Sequence, residues 1–242
     1  RDYFQGPITS AVIDSSFSKL WNRVWKIDKE KIRYHINNWN KAGYTPIDAI
    51  ASWPAHGDTS KGESYHIAPF YDKDSDGHYS PMQGDYPLIR GDQAVYFIYN
   101  DFANVHTESK GAPLEIEIHG MAYEFDKPDD SVLNNTLFFH LDILNKSAYD
   151  YHDTYVSLFT DFDLGFANDD YVGTDVTHGM VYAYNGTAVD GSGQPEAYGE
   201  HPPAFGLCIL GGPFMNADGT DNPDSGCGYN TAQFNFGDGV AD

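Results

Sequence analysis

Between Asp72 and Gln93 the chain reads DKDSDGHYSPMQGDYPLIRGDQ, and the side chains of this stretch suit one kind of chemistry. Asp72, Asp74 and Asp76 alternate, Gly77 follows, and Asp85 stands after a second turn. Three carboxylates two residues apart, closed by a glycine, are how a short loop wraps oxygen ligands around a hard cation such as Ca2+. The glycine permits the sharp turn, and the next carbonyl, that of His78, can serve as a further ligand. A helix–loop–helix calcium site has a glutamate at the twelfth position of the loop. Gln83 stands there, so Asp85 is the candidate closing carboxylate. The plain alternative is an acidic surface turn without an ion.

A second acidic cluster, DFDLGFANDDYVGTD, offers Asp161, Asp163, Asp169 and Asp170 to a second calcium ion, again with a solvated turn as the alternative. Asp161 and Asp163 share one side at the end of an expected strand, where carboxylates of the following loop can meet them. Asp218, Asp221 and Asp224 form a third group and a poorer metal candidate.

Acid–base chemistry has one further location. Leu114–Phe125 (LEIEIHGMAYEF) and Thr136–Asn145 (TLFFHLDILN) alternate as strands do, and the KPDD turn between them joins them as an antiparallel hairpin. One face of that hairpin is apolar; the other carries Glu115, Glu117 and His119 opposite His140 and Asp142. Glu115, Glu117 and Asp142 are therefore the acid–base candidates of a polysaccharide-active enzyme, since glycosidic cleavage needs carboxylates held on rigid elements. A solvated sheet face explains the same alternation. The chain has no HExxH, GxSxG, Walker or Rossmann signature.

The elements that must position these groups are mostly strands. Tyr and Phe are abundant and 24 Gly and 13 Pro punctuate the chain, which favours short strands and many turns over a helical bundle. Residues 1–13 read as an edge strand or arm. Phe17, Leu20, Trp21, Val24 and Trp25 follow helical spacing, and a second helix starts at the N-cap Asp28 with a stripe of Ile32, Ile36 and Trp39 up to Gly43. A third short helix opens at Thr45-Pro46. Ala94–Tyr99, Asp153–Phe162, Met180–Tyr184 and Ala204–Leu210 read as further strands, the first and last of them buried. The Gly/Pro-rich stretch 185–203 is a surface binding loop or an ordered lid. The expected fold is mainly β: an antiparallel β-sandwich or jelly-roll-like single domain over 1–242, with an arm and helical cap at 1–56 and long calcium-binding loops.

Charge narrows the partners. With 36 acidic against 14 basic residues, the chain repels phosphate backbones and anionic membrane surfaces, so nucleic acid is not an expected partner. No apolar run is long enough to span a bilayer as a helix. Cys208 and Cys227 would close a disulfide over the intervening acidic segment in an oxidising compartment. The start at Arg1 and the end on GDGVAD read as a piece of a longer polypeptide.

Four phrases, DSDGHYSPMQGDYPLIRGDQAVYFIYND, HTESKGAPLEIEIHGMAYEF, FTDFDLGFANDDYVGTD and AYNGTAVDGSGQPEAYGEHPPAFG, resemble a region of large secreted Bacteroidota proteins that carry a C-terminal type IX secretion sorting domain. The resemblance runs from about Trp25 to about Gly212. It implies an extracellular or outer cell-surface location and a longer parent polypeptide, and it carries no catalytic residues. The leading expectation is a calcium-stabilised structural or adhesive domain. Its rivals are a polysaccharide-active enzyme, a glycan-binding module, and a filament or lattice subunit that adds a strand to a neighbouring copy.

Overall fold

The computed structural model describes residues 1–210 apart from 12, 152, 153, 155 and 192. Strands outnumber helices, and every strand pair is antiparallel. Two compact units form, Arg1–His152 and Asp153–Asp242. The N-terminal helices share a core with the strands that follow.

In the first unit the short strand β1 (Phe4–Gln5) is followed by helix α1 (Ser15–Trp21), strand β2 (Trp25–Asp28) and helices α2 (Lys29–Asn38) and α3 (Asp48–Ala51). The small strands β3 (Phe70–Tyr71) and β4 (Tyr86–Pro87) pair with each other. The long strands β5 (Gln93–Asn100), β6 (Ile116–Glu124) and β7 (Phe138–Asn145) follow, with helix α4 (Ser131–Asn134) between the last two. The sheet runs β1-β5-β6-β7, and β2 shares the β1 side of β5. The arm is thus an edge strand, and the expected hairpin forms, with Ile116 opposite Asn145 and Tyr123 opposite Phe138.

Asp28 caps α2 by accepting from Lys31 N, and the flanking Ile27 and Ile32 are both buried, as a hydrophobic staple requires. The buried stripe of α2 is nevertheless Ile32 and His35; Ile36 is exposed. Trp25, expected on the first helix, lies in β2, where a helix-compatible spacing was outweighed by pairing with Tyr96. Trp21, Trp25, Trp53, Ile27 and Ile50 meet Ala94, Tyr96, Ile98 and Met121 in one core. Burying each aliphatic side chain of that size contributes about 1.5–3 kcal/mol.

The sheet faces opposite to expectation. Glu117 and His119 share the Met121 face of β6 and stand opposite Asn100 and Ile98 of β5, on the side covered by the helices. The other face carries Phe97, Ile118, Phe139, Leu141 and Ile143, and on β7 it is open, with Phe139 64%, Leu141 46% and Ile143 52% exposed. The reason lies in β5: AVYFIY is apolar on both sides, so alternation in β6 and β7 could not say which side the helices cover. Gly120 is required in that outer face, because a Cβ there would lie 2.1 Å from the Phe97 ring across the ladder.

In the second unit strands β8 (Asp170–Asp175) and β9 (Met180–Asn185) form a hairpin. After the small pair β10 (Val189–Asp190) and β11 (Gly199–Glu200), strand β12 (Ala204–Cys208) joins the free side of β9. Its buried apolar side chains among the described residues are Leu164, Val181 and Ala183. Two expectations fail here. Thr154 and Val156–Leu164 are irregular, and β12 is largely exposed. Both stretches have the right composition, but among the described residues of this unit no layer buries them.

Candidate functional site

The acidic loop joins β3 to β4, and carboxylates set its shape by accepting backbone N–H groups. Asp72 accepts from Gly77 N at 2.8 Å and Asp76 N at 3.3 Å. The chain can turn there because Ser75 and Gly77 both take left-handed backbone angles. Asp85 is wholly buried; its Oδ1 accepts from Lys73 N at 2.9 Å and its Oδ2 from Ser80 N at 2.7 Å, so one side chain ties both ends of the loop. The Asp85 carbonyl is held in turn by His35 Nε2 at 2.9 Å, and His35 Nδ1 meets the Tyr44 hydroxyl at 2.8 Å. Burial pushes the His35 pKa down, which keeps the imidazole neutral in this bridge. On the far side the Tyr65 hydroxyl donates to the Gly77 carbonyl and lies 2.6 Å from His78 Nδ1.

Asp72, Asp74 and Asp85 each place a carboxylate oxygen within 4.8 Å of the others. Ligands on opposite sides of a calcium ion stand about 5 Å apart, so this spacing suits an ion of that size. Among the described residues no lysine or arginine forms an ion pair with the three carboxylates. Lys73, next to Asp72, instead holds its Nζ 4.7 Å over the Trp39 ring. Desolvation and then repulsion from Asp76 push the Asp74 carboxyl above its ordinary range, while the Gly77 N–H holds that of Asp72 below it. Asp76 does not join the group; its Oδ1 accepts from His78 N at 2.7 Å. The expected ligand of His78 is its backbone carbonyl, and its side chain faces the Tyr65 hydroxyl instead.

The second cluster assembles differently. Asp161 and Asp163 are exposed on irregular chain. Asp169 and Asp170 enter β8 from a 3-10 turn, Ala167–Asp169. Asp170 Oδ2 accepts from Leu164 N at 2.8 Å, and Asp169 Oδ2 from Gly191 N at 3.0 Å. The Oδ1 atom of each is buried without a hydrogen-bond partner, and so is Oδ1 of Asn185, which stands opposite Asp170 in the ladder. Beside them the buried Asp190 accepts from Phe166 N at 3.1 Å and Tyr198 N at 2.5 Å. Gly165, at φ 77°, leaves room for it, since a Cβ there would lie 2.1 Å from Asp190 Oδ2. Each buried acceptor without a donor costs about 1–3 kcal/mol, and more when charged. A buried oxygen without a donor is one that a cation could satisfy, although among the described residues the group of three acidic side chains that converges within 4.8 Å is Asp72, Asp74 and Asp85. Asn185 and Asp190 escaped the sequence reading, because only the β8–β9 register and the β10 turn bring them to Asp169 and Asp170.

Cys208 is exposed at the end of β12, with its Sγ 3.3 Å from the His178 carbonyl. Cys227, Asp218, Asp221 and Asp224 lie outside the described residues.

The three acid–base candidates lie in three different settings. Glu115 precedes β6 at φ 56°, off the alternating face. Asp142 is exposed on β7, 3.3 Å from His140 Nε2. Glu117 is wholly buried, the opposite of a solvated face, and is met by Ile8 N at 2.7 Å and His119 Nε2 at 2.7 Å. Burial raises its pKa, but the His119 and Ile8 hydrogen bonds outweigh that and hold the carboxyl below its ordinary range. It is therefore a fixed carboxylate rather than a proton donor.

No helix among the described residues is long and apolar enough to cross a membrane. Compared with protein-family models, curated proteins and solved structures, the chain finds no match in any of the three.

Proposed function

We propose that this chain is a calcium-stabilised structural or adhesive domain of an extracellular bacterial surface protein. The observation that carries the reading is the convergence of Asp72, Asp74 and Asp85 within 4.8 Å, on a loop whose backbone is already folded around them. The ion would sit where three carboxylates lack a cationic partner, and Asp169, Asp170 and Asn185 would hold a second. Calcium would then offset part of a formal charge of −22 and fix loops that little apolar packing holds.

The finer parts of the reading rest on separate supports. A sandwich-like second layer is favoured by the open apolar face of Phe139, Leu141 and Ile143, and the same face suits lateral assembly with other copies. Secretion by a type IX route, from a Bacteroidota parent longer than this chain, rests on the four phrases quoted above.

The test is metal analysis of the purified chain followed by calorimetric titration of the chelator-treated protein with CaCl2. The reading expects saturable binding with Kd no weaker than about 1 mM, the range of extracellular calcium modules, and at least tenfold weakening in Asp74→Asn. Absence of both bound metal and titration heat would overturn it.

A further inference from the structure

The inner face of the first sheet bears a cleft of about 600 Å³, walled by the segments 66–70 and 88–90 and floored by β5, β6 and β7. The ladder register places its floor in two rows: Tyr96, Met121 and His140, then His119 and Asp142. Behind the second row lies Glu117, out of solvent. A carboxylate accepts only, so Nε2 of His119 carries the proton it shares with Glu117, and in the neutral imidazole Nδ1 is the acceptor. Nδ1 makes no hydrogen bond to the protein among the described residues. Glu117 is itself over-determined: besides Ile8 N, Ser64 Oγ approaches it at 3.4 Å and is backed by Lys146 Nζ at 2.8 Å. Such a buried, oriented carboxylate–imidazole pair contributes little to stability compared with an apolar pair of the same volume. It does fix the tautomer and direction of an imidazole that lines a cleft.

We infer that this cleft binds a sugar-sized, hydroxylated carboxylate, that is, a uronic acid unit. The lining supplies each contact such a ligand needs. Arg90 is exposed at the wall and makes no ion pair among the described residues, although acids outnumber bases 36 to 14 in the chain. It is a planar, bidentate partner for a carboxylate. His119 Nδ1 and Asp142 accept from ligand hydroxyls, His140 stands beside Asp142, and Phe70 and Met121 present apolar surface to the C–H face of a ring. The volume lies within the range of small-molecule sites. A phosphate dianion carries twice the charge of a carboxylate against Asp142 and the negative field of the whole chain, so the single Arg90 offsets it less completely. None of the residues lining the cleft belongs to either acidic cluster, so the site stands or falls independently of calcium.

The test is calorimetry in saturating calcium with D-glucuronate, D-glucose and acetate on the wild type, Arg90→Ala and His119→Gln. Glucuronate is expected to bind saturably, with glucose and acetate each at least tenfold weaker. Arg90→Ala, a surface change that leaves the fold intact, should weaken glucuronate at least tenfold, and a folded His119→Gln should weaken it several-fold. The inference is overturned by no saturable heat with glucuronate up to about 20 mM, by equal binding of glucose or acetate, or by undiminished binding in Arg90→Ala.

Discussion

The two acidic clusters contrast in how they hold their carboxylates. Around Asp72 and Asp85 the protein supplies the donors itself: Gly77, Asp76, Lys73 and Ser80 all give N–H groups to the carboxylates, and His35 anchors the Asp85 carbonyl. Around Asp169 and Asp170 each carboxylate has one oxygen bonded and one buried and orphaned, with a third orphan on Asn185. The packing behind them differs in the same sense. The first loop leans on a core of tryptophans and isoleucines, whereas the second cluster has Leu164, Val181 and Ala183. A loop can thus be preorganised for a cation by its own hydrogen bonds, or left dependent on the cation to satisfy it. The first kind keeps its shape without the ion; the second loses structure.

Three perturbations sharpen that difference. The largest effect is expected from Asp85→Ala, which leaves the Lys73 and Ser80 N–H groups unpaired. Chemical denaturation should show a loss of about 3 kcal/mol, since hydrogen bonds to charged groups are each worth about 1.5–3 kcal/mol. The loss should persist in chelator, while Asp76→Asn, outside the cluster, changes stability little in either condition.

Asp170→Asn comes next, and its sign should depend on calcium. With calcium present the substitution removes a charged ligand and lowers the melting temperature. In chelator it relieves repulsion among buried oxygens, keeps an acceptor for Leu164 N, and should leave the melting temperature unchanged or raised. A fall of equal size in both conditions would mean that the Asp169–Asp170 cluster binds no ion.

The smallest effect is in the pH profile. His35 has a depressed pKa in the fold, so below its ordinary value of 6.5 the unfolded chain binds the extra proton. Stability is therefore complete above about pH 6.5 and declines as pH falls through it. Glu117 is held below its ordinary value of 4.5, so a second decline begins as pH falls past that point. His35→Gln should abolish the first decline in urea midpoints and spare the second; a wild-type profile flat between pH 8 and 5 would contradict the neutral His35 bridge.

These contrasts also mark what was legible in the residues alone. The DxDxDG spacing located a loop in which Asp72, Asp74 and Asp85 do converge, because such a ligand set is local in sequence. Strands β5, β6 and β7 and their hairpin were legible from alternation and turn chemistry. Their facing was not, since Val95, Phe97 and Tyr99 are as apolar as Ala94, Tyr96 and Ile98, and only the docking of helices decides between them. Glu117 therefore read as a solvated charge although it is buried. Asp190 and Asn185 were invisible for a related reason: their partners come from Phe166, Tyr198 and Asp170, and nothing short of the β8–β9 register joins those segments.

The most direct test of the central claim is thermal unfolding with excess calcium and with excess EDTA, alongside elemental analysis of the purified chain. The account predicts bound calcium, a substantial fall in melting temperature in EDTA, and full recovery on adding calcium back. An unchanged melt in EDTA, with no calcium found in the protein, would contradict it.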